Sequence, residues 1–189
     1  IEACLVGSEM CIRDRRRAKT INFGLLYGMS AFGLSNQLSV SRAEAEEFLL
    51  NYFTKYSSIK VFMKDVVEQA KKDKYVSTLY GRKIHVPNIE SPNYMLRQAS
   101  ERAAVNGPLQ GSAADIIKRA MINIFKESGG NEKDVKMILQ VHDELVFEVP
   151  EDYDEKNISY LIDLMEESSS IDVPLKVEYG FGSNWREAH

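Results

Sequence analysis

Residues 137–149, Met-Ile-Leu-Gln-Val-His-Asp-Glu-Leu-Val-Phe-Glu-Val, restrict the fold more than any other stretch. Two apolar, β-prone runs flank three polar residues, His142, Asp143 and Glu144. Val, Ile, Leu and Phe on both sides suit a pleated, half-buried ladder, so the stretch predicts strand, turn, strand. The triplet lacks the Asn-Gly or Asp-Gly of a routine hairpin turn. A turn made of an imidazole and two carboxylates puts negative charge at a sheet edge, where solvent, a cation or a metal must offset it. On these residues alone, a solvated acidic turn and a metal site both remain open.

The rest of the chain sets bounds on that choice. At 189 residues, one domain or two small lobes is the expectation, with enough chain to bury a core. The formal net charge of −4 does not suggest a nucleic-acid binder, but its distribution is uneven. Residues 13–28 carry Arg13, Arg15, Arg16, Arg17 and Lys19 against Asp14 alone. Between Asp143 and Glu178, twelve acidic residues face only Lys156 and Lys176. One end can therefore attract phosphate while the other stays solvated. No run reaches transmembrane length and no signal-peptide pattern opens the chain, so a cytoplasmic protein without a membrane partner is expected. Cys4 and Cys11 are the only cysteines; they make neither a metal set nor a disulfide framework, which fits a reducing compartment. Residues 1–14 show no helical or strand period. They read as a leader derived from adapter or cloning DNA and do not enter the fold argument.

Arg15, Lys19, Phe23 and Tyr27 recur every four residues, which on a helix makes one slowly drifting stripe. Its first half is cationic and suits a polyphosphate. Its second half is aromatic and suits a stacked base, worth roughly 1–3 kcal/mol. Gly24 and Gly28 beside the aromatics weaken the helix and remove side chains where a flat ligand would approach. An amphipathic helix with a solvated basic end and a buried aromatic end explains the same spacing.

Ser41-Arg42-Ala43-Glu44 predicts a capped helix start, with apolar residues at helical spacing through Phe53 and a break near Tyr56. A second helix follows through Ala70. Tyr75–Leu79 and Arg82–Val86 flank Tyr80-Gly81 as a hairpin, at an end made basic by Lys71, Lys72, Lys74, Arg82 and Lys83, readable as a solvated face or as a backbone phosphate contact. A long helix is expected over 94–128, interrupted or kinked at Pro108. On it Arg102, Asn106 and Gln110 form an entirely polar i, i+4 stripe, readable as simple solvent exposure. Gly129-Gly130-Asn131 reads as a loop, Ile158 to Met165 as an acidic amphipathic helix, and Val173 to Tyr179 as a strand.

The literal strings go further than the spacing. Arg15 to Gly28 reads R-x3-K-x2-NFG-x2-YG and resembles the fingers helix of the bacterial family A DNA polymerases; the likeness continues through Met29-Ser30-Ala31-Phe32-Gly33-Leu34. Thr78-Leu79-Tyr80-Gly81-Arg82 resembles another family segment. Glu101 to Gly111 resembles the palm helix, and Val141-His142-Asp143-Glu144 the palm hairpin. The resemblance implies an α+β fold: a helical fingers portion over 15–90 and part of an antiparallel palm sheet packed on helices over 91–189, together an incomplete polymerase domain. It implies that Arg15 and Lys19 hold the triphosphate of an incoming deoxynucleotide. Phe23 packs on its sugar and base, and Tyr27 lies near the templating position. Phe rather than Tyr at position 23 implies rejection of sugars lacking the 3′-hydroxyl. Arg102, Asn106, Gln110 and His142 would contact primer-template DNA. Asp143 would be a ligand in a two-metal Mg²⁺ site, with Glu144 in support. Lys19 would also offset charge on the triphosphate and protonate the leaving group.

One departure matters. The family's other metal-binding aspartate sits upstream of the fingers helix in a strand resembling D-Y-S-x-I-E-L-R, and no such string occurs here. The expectation is a polymerase fragment, incompetent alone, whose partner is the missing upstream part of the same polymerase. Two other classes compete. A phosphohydrolase built on His142-Asp143 would need helices and further histidines, and only His85 and His189 remain. A non-catalytic nucleotide- or nucleic-acid-binding module would bind both ligands without turnover.

Overall fold

Local signals explain most of the elements in a computed structural model of the chain, which describes residues 15, 18, 19, 21–25, 27–127, 135–151 and 153–188. The expected leader over 1–14 and the loop at 129–131 lie outside the described residues. Among the described residues the fold is α+β, helices with two small antiparallel sheets, as expected. It divides into two units, Ile1–Gly111 and Ser112–His189.

In the first unit, residues 15, 18, 19 and 21–25 are helical. Helices α1 (Ala31–Leu38), α2 (Arg42–Lys55) and α3 (Ser57–Asp73) follow. The Ser30 hydroxyl accepts the Gly33 N–H at 3.2 Å and starts α1. The predicted capping box starts α2: the Glu44 N–H donates to Ser41 Oγ at 3.2 Å, and the Ser41 N–H donates to Glu44 Oε2 at 2.8 Å. Such a cap stabilises a helix by about 0.5–2 kcal/mol. The break between α2 and α3 falls at Tyr56, as the sequence predicts.

Strands β1 (Tyr75–Ser77) and β2 (Lys83–His85) pair antiparallel, Val76 opposite Ile84. They are shorter than the runs predicted over 75–79 and 82–86. The Thr78 N–H donates to the Arg82 carbonyl at 2.9 Å and the Gly81 N–H to the Thr78 carbonyl at 2.9 Å, closing the loop early. The basic neighbourhood is partly neutralised from within. Lys71 pairs with Glu101 at 3.0 Å, Lys74 pairs with Glu90, and Lys83 Nζ sits 4.4 Å from the Tyr75 ring centre.

Among the described residues, two apolar clusters hold this unit. One gathers Leu25, Leu34 and Ala45, with Ile21, Leu38 and Leu49 against them. The other gathers Ala70, Val76, Val86, Ile89 and Ala104 under the hairpin. Ala104 lies on α4 (Tyr94–Glu127), a 34-residue helix that runs through Pro108 despite the roughly 3 kcal/mol such an interior proline costs.

The second unit contains the rest of α4, then β3 (Lys136–Val141), β4 (Glu144–Glu148), α5 (Glu155–Glu166) and the short α6 (Trp185–Ala188). Ala120, Ile124, Val135 and Ile158 are buried. Strands β3 and β4 pair antiparallel, with a register irregularity between Met137 and Leu139. The strand expected over 173–179 does not form among the described residues. A strand needs a ladder partner; here the Val177 N–H donates instead to Glu166 Oε1 at 3.0 Å. That bond and the Lys176 ammonium at 3.1 Å hold the Glu166 carboxyl below its ordinary pKa. Among the described residues, no helix is long and apolar enough to cross a membrane.

Candidate nucleotide and nucleic-acid interface

The cationic-aromatic stripe is exposed from Arg15 to Phe23 and half-buried at Tyr27. Arg15 and Lys19 face solvent, and among the described residues neither has a carboxylate partner. Phe23 is 45% exposed although it is a large aromatic ring. Its centre lies 6.0 Å from that of Tyr27, with the planes 30° apart, and Lys19 Nζ stands 5.9 Å from it. For Phe23 the alternative of a buried aromatic end is thereby answered, while Tyr27 is half-buried: Leu25, with the partly buried Ile21 against it, enters the core from another face of the same segment. Leu25 is only 1% exposed, so the helix is anchored by its aliphatic side and presents the Phe23 ring.

The two glycines beside the rings do different work from that expected. Gly24 is buried, and the Met29 side chain occupies the place of its absent Cβ, with Sδ 3.1 Å from that point. It opens room for Met29, not for a flat ligand. Gly28 has φ of +75°, and a Cβ there would lie 3.1 Å from Arg102 Cγ. The end of the cationic-aromatic stripe thus meets the first residue of the polar stripe on α4. Gly28→Ala strains the left-handed backbone and crowds Arg102; a loss of roughly 1–2 kcal/mol is expected. Thermal unfolding of the two forms checks it, and an unchanged midpoint would count against the strained turn.

Arg102, Asn106 and Gln110 line a depression of about 570 Å³ whose floor includes Ile84, Gly107 and Gly111. Arg102 and Gln110 are exposed and Asn106 is half-buried. Asn106 Oδ1 is buried with no hydrogen-bond partner among the described residues. A buried acceptor left unpaired costs about 1–3 kcal/mol, so the position favours a ligand that donates to it or a water that bridges. Simple solvent exposure describes Arg102 and Gln110 but not Asn106.

His142, Asp143 and Glu144 belong to the second unit. Val141 pairs with Glu144 across the ladder, so the hairpin loop has two residues, His142 and Asp143. Glu144 is not a turn residue: it is the first residue of β4 and half-buried. His142 has φ of 52°, in the left-handed region that two-residue hairpins demand and that side chains other than glycine seldom adopt. The Gln140 side-chain amide donates to the His142 carbonyl at 3.2 Å and braces the tip. Strain held at an exposed polar tip is the kind that accompanies function. At the far end of the ladder Lys136 Nζ meets Glu148 Oε1 at 2.9 Å, a hydrogen bond that raises the Lys136 pKa.

The carboxylates of Asp143 and Glu144 are hard oxygen donors, the type that Mg²⁺ prefers. They fall short in number, because among the described residues no group of three His, Cys, Asp or Glu side chains could hold a metal. Two contacts behind these stripes escaped sequence reasoning, which read Arg82 only as part of a basic end. Met29 fills Gly24, and Arg82 reaches the Gly111 carbonyl at 3.0 Å. The spacing of Gly107 and Gly111 was the signal that another element approaches α4 closely.

Comparison with known proteins gives one family. The DNA polymerase family A model matches residues 5–187. The chain is 50% identical over 179 residues to DNA polymerase I of Pseudomonas aeruginosa, covering 93% of this chain and 19% of that protein. It is 43% identical to DNA polymerase I of Bacillus caldotenax, covering 95% of this chain and 20% of that protein. The solved POL domain of Pol1 from M. smegmatis, in complex with DNA primer-template and dNTP, superposes with a TM-score of 0.84 at 44% identity, covering 92% of this chain and 31% of that one. The chain spans about a fifth of the length of the curated relatives it matches. With an α+β fold that matches part of a polymerase domain, the chain belongs to DNA polymerase family A.

Proposed function

We propose that this chain is the part of a template-directed DNA polymerase that receives the incoming deoxynucleoside triphosphate and contacts the primer-template. The observation that carries the reading is the platform of exposed Lys19 and Phe23 beside half-buried Tyr27, joined through Gly28 to Arg102 at the head of the polar stripe. Arg15 and Lys19 offset the triphosphate charge, by fork and by point charge. Phe23 packs on the sugar and base, and Tyr27 borders the new pair. Arg102, Asn106 and Gln110 donate to the duplex in its minor groove, whose acceptor pattern is nearly independent of sequence. His142 meets the primer terminus.

The reaction is attack of the primer 3′-hydroxyl on the nucleotide α-phosphate with release of pyrophosphate, to which Lys19 gives a proton. Asp143, supported by Glu144, contributes carboxylate oxygens to a divalent-cation site completed by the remainder of a polymerase domain. Bound there, Mg²⁺ would neutralise charge developing on the reacting oxygens. Residues 15–90 serve as the fingers portion and 91–189 as the palm portion.

Equilibrium dialysis of the 189-residue chain against a radiolabelled deoxynucleoside triphosphate tests the nucleotide half. Lys19→Ala removes a charge-assisted bond of about 1.5–3 kcal/mol and should weaken triphosphate binding by roughly 10- to 100-fold, with duplex binding kept. Equal binding by parent and variant would sink the assignment. Primer extension by the chain alone should stay at background; binding of both ligands without turnover in a completed polymerase would favour the non-catalytic module.

A further inference from the structure

We infer that Arg82 is a positioning residue: together with Gly107 and Gly111, it seats the β1–β2 hairpin on α4 and so aims Asn106 and Gln110 at their ligand. These side chains are usefully aimed only if they meet the duplex, so the assignment rests on the function proposed above.

The contact is close and leaves one seating. A Cβ on Gly107 would lie 2.9 Å from Val76 Cγ2. A Cβ on Gly111 would lie 2.6 Å from Thr78 Cγ2 and 2.8 Å from Ile84 Cδ1. Neither position admits a side chain unless the hairpin retreats. Residues four apart share one helix face, so this bare face is the one laid on the hairpin. Asn106 and Gln110 each precede a glycine by one residue, about 100° round the helix. Rotation of this face therefore rotates both side chains together.

Arg82 locks the seating. Its own backbone is held at the hairpin end, its N–H donating to Thr78 Oγ1 at 3.1 Å and its carbonyl accepting from the Thr78 N–H at 2.9 Å. From that base the guanidinium Nη2 donates to the Gly111 carbonyl at 3.0 Å. The strut meets the helix just beyond Pro108, whose missing N–H leaves the ladder one bond short at Ala104. A locally softened turn is where an external strut has most leverage. Asn106 in particular depends on it. With Oδ1 buried and unpartnered among the described residues, no hydrogen bond donated to that oxygen fixes its direction.

The test uses the 189-residue chain and a fluorescent primer-template duplex, with and without 3-deazaguanine at the primer terminus, which deletes one minor-groove acceptor. The parent should bind the modified duplex about 5- to 10-fold more weakly, the worth of one such hydrogen bond. Arg82→Ala should shrink that ratio below about twofold, and Arg82→Lys, which keeps a donor for the carbonyl, should restore at least half of it. The salt dependence of binding should not change; a slope lower by about one would make Arg82 a phosphate contact and overturn the inference. If Arg82→Ala does not fold, Gly111→Ala carries the test, and its ratio should likewise fall below about twofold. In Gly111→Ala the Asn106 side-chain amide resonance of the unliganded chain should move, while Lys72→Ala leaves it in place. Asn106→Ala separates the two ideas. If it leaves the ratio at the parental value, the duplex-contact reading fails. If it erases the ratio while the Arg82 and Gly111 variants preserve it, only the positioning role fails.

Discussion

Asp143→Asn, in a complete polymerase carrying residues 15–189 in place of the matching segment, should lower kcat by at least about 10³-fold, because charge neutralisation at the reacting oxygens is worth several kcal/mol and each 1.36 kcal/mol is tenfold. Duplex affinity should change by less than about threefold, since one exposed, near-isosteric side chain contributes little to a contact made mostly elsewhere. The geometry separates the two effects. Asp143 is exposed at the second position of a two-residue loop, and the bonds that shape the hairpin come from the ladder and from Gln140. Asn keeps the size and turn preference of Asp while removing its charge. Stability should therefore stay within about 0.5 kcal/mol of the parent. Single-turnover extension with saturating nucleotide, beside a thermal melt, measures both. Activity within tenfold of the parent would remove Asp143 from the chemistry.

The second large effect is on stability. Leu34→Ala should cost about 2–5 kcal/mol, the range for emptying a fully buried leucine site. Leu34 is 0% exposed and, with Ser35, is one of two buried residues of the eight-residue α1. So short a helix has little stability of its own, and packing supplies what the backbone cannot. Leu25, which Leu34 joins in the core, lies on the segment that presents Phe23 and Tyr27. The cavity should therefore also weaken triphosphate binding, without touching a ligand contact. Leu34→Met, which conserves volume, should cost less than about 1.5 kcal/mol and retain binding. Denaturant unfolding and equilibrium dialysis on the same preparations check the pair. A Leu34→Ala form that unfolds at the parental midpoint would show that this cluster does not hold the segment.

Local chemistry made much of this chain legible. The capping box at Ser41 and Glu44 is a contact between residues three apart, and it forms as written. So do the break at Tyr56, the hairpin around Gly81 and the amphipathic α5, because each depends on neighbours within a few positions. The stripes at 15–27 and 102–110 were legible as stripes for the same reason, since helical periodicity places their members on one face. The roles suggested by the literal strings are a different matter: they come from likeness to a family, and the binding experiments decide them.

Packing between distant segments decided the rest. Spacing left two fates for Phe23, core or ligand platform. Burial of Leu25, with the partly buried Ile21 beside it, settled which face turned inward, because a short helix can anchor only one side. Gly24 looked like a ligand clearance until Met29 occupied it. Glu144 joined β4 because pairing with Val141 uses its backbone, and no local rule distinguishes that from a three-residue turn. Residues 173–179 have the composition of a strand, but a strand exists only where another backbone lies beside it. Arg82 and Gly111 are 29 positions apart, and their bond appears only once the hairpin lies on α4. Periodicity and caps are properties of a segment; exposure, pairing and close approach are properties of what lies against it.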